Sequence, residues 1–174
     1  MAYVSALVRD VPDYPKPGIL FKDVSPLLAD GRGFRLVTDA LATLGEGVDL
    51  VAGIEARGFV LAAPVAYALG VGFVPLRKAG KLPPPVTRVG YALEYGTAEI
   101  EVRAETVPDG ARVLLVDDVL ATGGTLVAAT RLLEQAGTVV THTAVLLELG
   151  ALGGRSRIDA ANPGGGSLDA LLHA

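Results

Sequence analysis

The sequence predicts an α/β fold built on a parallel sheet covered by helices on both faces, and three observations carry that expectation. Short apolar runs such as Asp49–Ile54 and Arg112–Val116 alternate with stretches whose apolar residues recur at helical spacing. Runs that are apolar at every position suit strands buried on both faces, which a parallel sheet with crossover helices provides. Three such runs lead into polar residues, Glu55-Ala56-Arg57, Arg77-Lys78 and Asp117-Asp118. In open sheets of this kind ligands bind beyond the carboxyl ends of the strands.

The elements follow in order. The segments Pro12–Leu28 and Gly150–Ala174 are rich in Pro and Gly and are expected to form a small cap or terminal coil. Gly33–Gly47 is a helix ending in Gly, Asp49–Ile54 a strand, Arg57–Leu69 a helix with Gly70 beyond its end, and Gly72–Arg77 a strand. Residues 78–96 break the alternation with three consecutive prolines among basic and aromatic residues, as a functional loop or lid would. Val89–Leu93 and Ala98–Val102 have the character of a hairpin. Arg112–Val116 is a strand, Gly123–Gln135 a helix closed by Gly137, and Val139–Leu147 a further strand.

The chain has 174 residues, enough for one domain over 1–174 with a sizeable core. Its net charge of −4 includes no basic run, so nucleic acid is not an expected partner. It has no cysteine, which excludes disulfides and thiolate-bound zinc. Gly58–Leu76 is uncharged and of membrane-spanning length, but Pro64, Gly70 and Gly72 interrupt it, so a helix followed by a strand is expected and no membrane span. The first residues lack the charged-then-apolar order of a signal peptide, and a cytoplasmic location is expected.

The chemistry concentrates in VLLVDDVLATGGT, 113–125. Consecutive amides in Ala121-Thr122-Gly123-Gly124-Thr125, opening a helix and flanked by two hydroxyls, suit a phosphate. No Lys follows as in a nucleoside triphosphatase loop. Asp117 and Asp118 are placed to accept hydrogen bonds from the vicinal hydroxyls of a ribose, or to hold Mg²⁺ through water. A plain capping turn accounts for the Thr and Gly residues but not for the paired acids.

The same stretch resembles the phosphoribosyl-pyrophosphate (PRPP) motif of type I phosphoribosyltransferases, in the variant found in adenine phosphoribosyltransferases. DYPKPGILFKDVSPLL (13–28), AGIEARGFVLAAPVA (52–66), RKAGKLP (77–83), LEYGTAEIEV (93–102) and LLELGALGGR (146–155) resemble stretches of that family, in the family's order. The likeness spans about 13 to 158 and fades after Arg157. It implies a type I phosphoribosyltransferase-like sheet, a hood at about 12–28 and a flexible lid at about 78–96. It also implies transfer of the 5-phosphoribosyl group from PRPP to adenine, giving AMP and pyrophosphate, with Mg²⁺ on the pyrophosphate, in a homodimer.

By the same resemblance Arg57, Lys81 and Lys78 would bind pyrophosphate, and Glu94 would take or relay the purine proton near N7. Glu94 is called for because Ala121 stands where relatives that select oxo-purines commonly carry an acid. Tyr95 would help to close the lid. Phe21 would stack on the base while the backbone of Leu20 and Lys22 reads its Watson–Crick edge. Many relatives have Arg in place of Lys22, and Pro83-Pro84-Pro85 replaces a Gly-containing stretch. His142 and His173 match no catalytic position. Two alternatives stay open: a same-fold enzyme for an oxo-purine, and a non-catalytic sensor of PRPP or nucleotide.

Overall fold

The computed structural model describes residues 1–92, 97–163 and 165–174. Helix α1 (Ala2–Ser5) leads into an antiparallel hairpin of β1 (Arg9–Pro12) and β2 (Leu20–Asp23). Then come α2 (Ser25–Ala29), α3 (Gly31–Leu44), β3 (Leu50–Ile54), α4 (Arg57–Leu69), β4 (Gly72–Lys78), β5 (Thr87–Ala92) and β6 (Thr97–Val102). The chain continues through β7 (Arg112–Leu120), α5 (Gly124–Gln135), β8 (Val139–Glu148), α6 (Gly154–Ala161) and β9 (Ser167–His173). Among the described residues, seven strands form one sheet in the order β5-β6-β4-β3-β7-β8-β9. The run from β4 to β9 is parallel, and the β5–β6 hairpin joins it antiparallel at one edge.

The sheet sorts its side chains by strict alternation. Leu50, Ala52 and Ile54 of β3 and Val113 and Leu115 of β7 pack with Leu126, Ala129, Leu132 and Leu133 of α5. Val51, Leu114 and Val116 point the other way, onto Val37 and Leu41 of α3 and Leu61 and Val65 of α4. Both faces are therefore apolar and both are covered. Asp30 starts α3 by accepting a hydrogen bond from Gly33 N at 2.7 Å, two residues earlier than the helical spacing suggested. Gly70, at φ 70°, ends α4 in the left-handed conformation, and Pro64 sits inside that helix. Among the described residues no helix is long and apolar enough to cross a membrane.

Three expectations need correction. Beyond Gly150 the chain is not coil: α6 and β9 form there, and β9 extends the sheet alongside β8. Residues 79–86 are the loop proper, since β5 occupies the stretch up to Ala92. Strand β7 does not stop at Val116 but runs on to Leu120. Its last pair with β3 is Gly53↔Val116, whereas its pairing with β8 continues through Leu120↔Glu148. Asp117 and Asp118 thus lie within a strand, at the point where one neighbouring strand has ended.

Candidate functional site

The early end of β3 opens one side of β7 to the start of α4. Gly58 fills that space: a Cβ there would come within 2.9 Å of Asp117 Oδ1 and 3.0 Å of Val116 O. The adjacent Arg57 reaches across, with its Nε 2.8 Å from Asp118 Oδ2. That oxygen is sealed from solvent and accepts no aligned hydrogen bond among the described residues, so the contact is an ion pair alone. Asp117 Oδ1 accepts from Asp118 N at 2.9 Å.

Burial pushes both carboxyls upward. Asp117 is raised well above the usual carboxylate range by desolvation and then by the neighbouring Asp118 charge. Desolvation also raises Asp118, and the Arg57 guanidinium opposes it. The sign of the pH effect follows. A folded-state pKa above the unfolded value contributes stability that is fully present below the unfolded pKa, about 3.9, and lost as pH rises through the folded value. Replacing Asp117 by Asn removes that loss and keeps an oxygen for Asp118 N. Asp117→Asn is therefore expected to melt a few degrees above the parent at neutral pH, the two converging below about pH 4, while PRPP binding weakens. Thermal melts across pH check it; a variant less stable at pH 7 would show that the charge is not costly.

Beyond β7 the loop 121–125 turns into α5. Its N-cap is Gly123, at φ 78°, which has no side chain to satisfy the first amides of the helix. Residues 119–126 line a small concavity there. The loop is backed by Gly154 at the start of α6, where a Cβ would lie 2.2 Å from Ala121 O. Arg155 secures this contact: its Nη2 donates to Glu148 Oε2 at 2.6 Å and its Nη1 to Leu168 O at 2.8 Å. Glu148 is held below its ordinary pKa chiefly by these Arg155 bonds.

The hairpin β1–β2 forms the other wall. Phe21 lies with its ring centroid 5.5 Å from Arg57 Cζ, and Tyr14 meets Phe21 edge-on at 5.2 Å. Val11, Tyr14, Phe21, Asp23, Ser25 and Arg57 line a cleft of about 440 Å³. Leu20 is exposed beside it. The Lys22 side chain is turned to Asp10 on β1, Nζ to Oδ1 at 2.7 Å, which leaves its backbone as the part not engaged by that pair. Arg57 is thus shared between the acid pair and the hairpin.

Lys78 and Lys81 are exposed, and their amides are held by two acids, Glu55, which is partly buried, and Glu101, which is buried. Glu55 Oε2 accepts from Arg77 Nε at 3.0 Å and from Lys78 N at 2.8 Å, and the Arg77 bond above all, opposed by burial and aided by the Lys78 amide, depresses the Glu55 pKa. Glu101 Oε1 accepts from Lys81 N at 2.8 Å. Glu94 and Tyr95 lie outside the described residues. His142 sits in β8, and His173 Nδ1 lies 3.5 Å from Glu148 Oε2. Among the described residues no three His, Cys, Asp or Glu side chains gather as a metal cage.

Reading the sequence alone missed Tyr14, Asp23, Ser25, Glu101, Glu148 and Arg155. All six stand inside the quoted family-like stretches. Their spacing matches no motif, and Glu101 in particular meets partners 13 to 20 residues away in the chain.

Comparisons with known proteins agree with this fold. Residues 28–162 match the family model of the phosphoribosyl transferase domain. An adenine phosphoribosyltransferase of Kineococcus radiotolerans is 62% identical over 159 residues, covering 90% of this chain and 86% of that one. The crystal structure of adenine phosphoribosyltransferase from Thermoanaerobacter pseudethanolicus superimposes with a TM-score of 0.92 at 44% identity, covering 99% of both chains. The enzyme from Saccharomyces cerevisiae, solved with an imino-altritol bisphosphate and adenine, gives 0.91 at 36% identity over 98% of this chain and 97% of that one. On this sequence and structural likeness, the chain belongs to the adenine phosphoribosyltransferases of the phosphoribosyl transferase domain family.

Proposed function

We propose that the cleft transfers the 5-phosphoribosyl group from PRPP to adenine, giving AMP and pyrophosphate, as a step of purine salvage. The observation that carries this reading is Arg57, which touches Asp118 at 2.8 Å and faces Phe21 at 5.5 Å, so that sugar, pyrophosphate and base sites share one side chain. The bond from C1′ to the pyrophosphate oxygen breaks and the bond from C1′ to purine N9 forms. Positive charge builds on the sugar and negative charge on the departing pyrophosphate, which cations must meet. Arg57, Lys78 and Lys81 supply them. Asp117 and Asp118 hold the ribose hydroxyls, and Ala121, Thr122, Gly123, Gly124 and Thr125 cradle a phosphate.

Phe21 stacks on adenine. The backbone at Leu20 and Lys22 pairs with the amino group and N1, and hypoxanthine, with that pattern reversed, leaves buried groups unpaired. Glu94 takes or relays the purine proton near N7 and Tyr95 helps to close the lid. Asp117 or Asp118 would hold a PRPP-bound Mg²⁺ through water, and the ion would supply charge neutralisation at the pyrophosphate. A homodimer, implied by the resemblance, and a cytoplasmic location complete the proposal.

The test is pyrophosphate release from PRPP and Mg²⁺ with adenine, hypoxanthine, guanine or xanthine. Release with adenine alone is the expected result. Release with an oxo-purine would overturn the reading of the base pocket, and none with any base, from protein that still binds PRPP, would point to a sensor.

A further inference from the structure

We infer that Glu101 is a positioning residue for pyrophosphate binding, acting through the turn that carries Lys81. Glu101 belongs to β6, where it stands opposite Arg77 of β4 and Arg88 of β5. Its side chain is fully buried, which is rare for a carboxylate without dedicated partners. Those partners are specific. Oε1 accepts from both Lys81 N and Leu82 N at 2.8 Å, and Oε2 accepts from Arg88 Nε at 2.9 Å. The preceding turn residue, Ala79, donates its N–H to Glu99 O at 3.1 Å. Two residues of β6 therefore hold the start of the β4–β5 loop, and Glu101 does so through its charge.

Burial alone would raise the Glu101 pKa, but the amides of Leu82, Gly80 and Lys81 together with Arg88 outweigh it and keep the carboxyl below its ordinary value. A buried anion so arranged fixes the direction in which the Lys81 backbone leaves the sheet. Lys81 itself is a long flexible side chain, and a fixed backbone limits the volume its ammonium searches. The inference rests on the proposed role of Lys81 as a pyrophosphate ligand. It adds that the lysine is aimed by an acid twenty positions further along the chain.

Glutamine cannot replace this carboxylate. Its single carbonyl oxygen satisfies either the two amides or Arg88, and the NH₂ group then meets a donor on the other side. Glu101→Gln is expected to raise KM for PRPP and for pyrophosphate about tenfold while KM for adenine changes less than about twofold. Lys81→Ala should weaken the same two ligands. The double variant should be no worse than Lys81→Ala by more than about twofold, because both changes remove one function. A general packing role would instead lower kcat and thermal stability in both backgrounds.

Parental KM values in Glu101→Gln, or losses that multiply in the double variant, overturn the inference while leaving Lys81 in its role. Unchanged PRPP and pyrophosphate binding in Lys81→Ala overturns that role and the inference with it. If Glu101→Gln does not fold, Glu101→Asp goes through the same cycle, and amide exchange is measured in the parent. Slow exchange at Lys81 and Leu82 is expected, and exchange at open-loop rates overturns the clamp.

Discussion

Arg57→Ala is expected to lower kcat/KM for PRPP, and the affinity for pyrophosphate, about 10²-fold, with a smaller loss for AMP. Two effects combine. The first is the loss of a cation where the leaving group departs. The second is what the truncation leaves behind: Asp118 Oδ2, sealed from solvent, keeps no positive neighbour at 2.8 Å. Removing one partner of a fully buried pair costs about 3–5 kcal/mol. Here Arg57 is 44% exposed, so water screens the pair and the stability loss should fall well below that range.

The Asp118 carboxyl should also rise further, since the opposing guanidinium is gone. Arg57→Lys separates charge from shape. It keeps the cation but loses the planar group over Phe21, and recovers PRPP binding in part while adenine binding stays weakened. Steady-state kinetics with both substrates and AMP binding by calorimetry decide the matter. Equal losses for PRPP, pyrophosphate and AMP would mean a disturbed fold rather than a missing ligand.

The second large effect is expected from Gly154→Ala, a residue that need not touch any ligand. Its Cβ would sit 2.2 Å from Ala121 O, 2.6 Å from Leu120 Cδ1 and 3.0 Å from Gly123 N. Two of these are backbone atoms of the phosphate loop, so the clash is not relieved by a rotamer change. The other side is equally constrained, because Arg155 ties the start of α6 to Glu148 and to Leu168 O. Gly123 closes the same contact, with Gly154 O only 2.6 Å from where its own Cβ would stand.

Overpacking of this kind costs about 1–3 kcal/mol, and a phosphate loop displaced by about 1 Å can lose 10²-fold in rate. The expected outcome is a fall of that order in kcat/KM for PRPP, with helix and strand content retained by circular dichroism. The effect on adenine should be small, since the proposed base site lies against the β1–β2 hairpin. Parental kinetics together with a parental melting temperature would mean that α6 moves aside freely and does not support the loop.

Much of the fold was legible locally. Helix α4 begins at Arg57 and ends at Leu69 where the spacing and Gly70 said it would, and β3 and β8 differ from expectation by a residue. The turn at 121–125 into α5 was legible too, because Gly, Thr and a following helix are a local pattern. The two acids were recognised as unusual, yet they were expected after the strand rather than inside it. Nothing in Val113–Leu120 marks where β3, more than fifty residues earlier, stops pairing. The tail was misread for a similar reason. Ser167–His173 becomes a strand by pairing with β8, an edge that a segment rich in Gly and Pro does not advertise.

By itself, then, the sequence determined the order of helices and strands from α3 to β8, the absence of thiol chemistry, and the residue types of the loop that opens α5. These depend on periodicities of two and 3.6 residues and on the backbone freedom of glycine, all set by near neighbours. Only the tertiary structure decided that Arg57 meets both Asp118 and Phe21, that Glu101 holds the turn of Lys81, and that Gly154 supports Ala121 and Gly123. Each of those contacts joins elements distant in sequence. Their geometry is set by strand order and by where each strand ends, and a buried charge or a missing Cβ acquires its meaning from the partner brought against it.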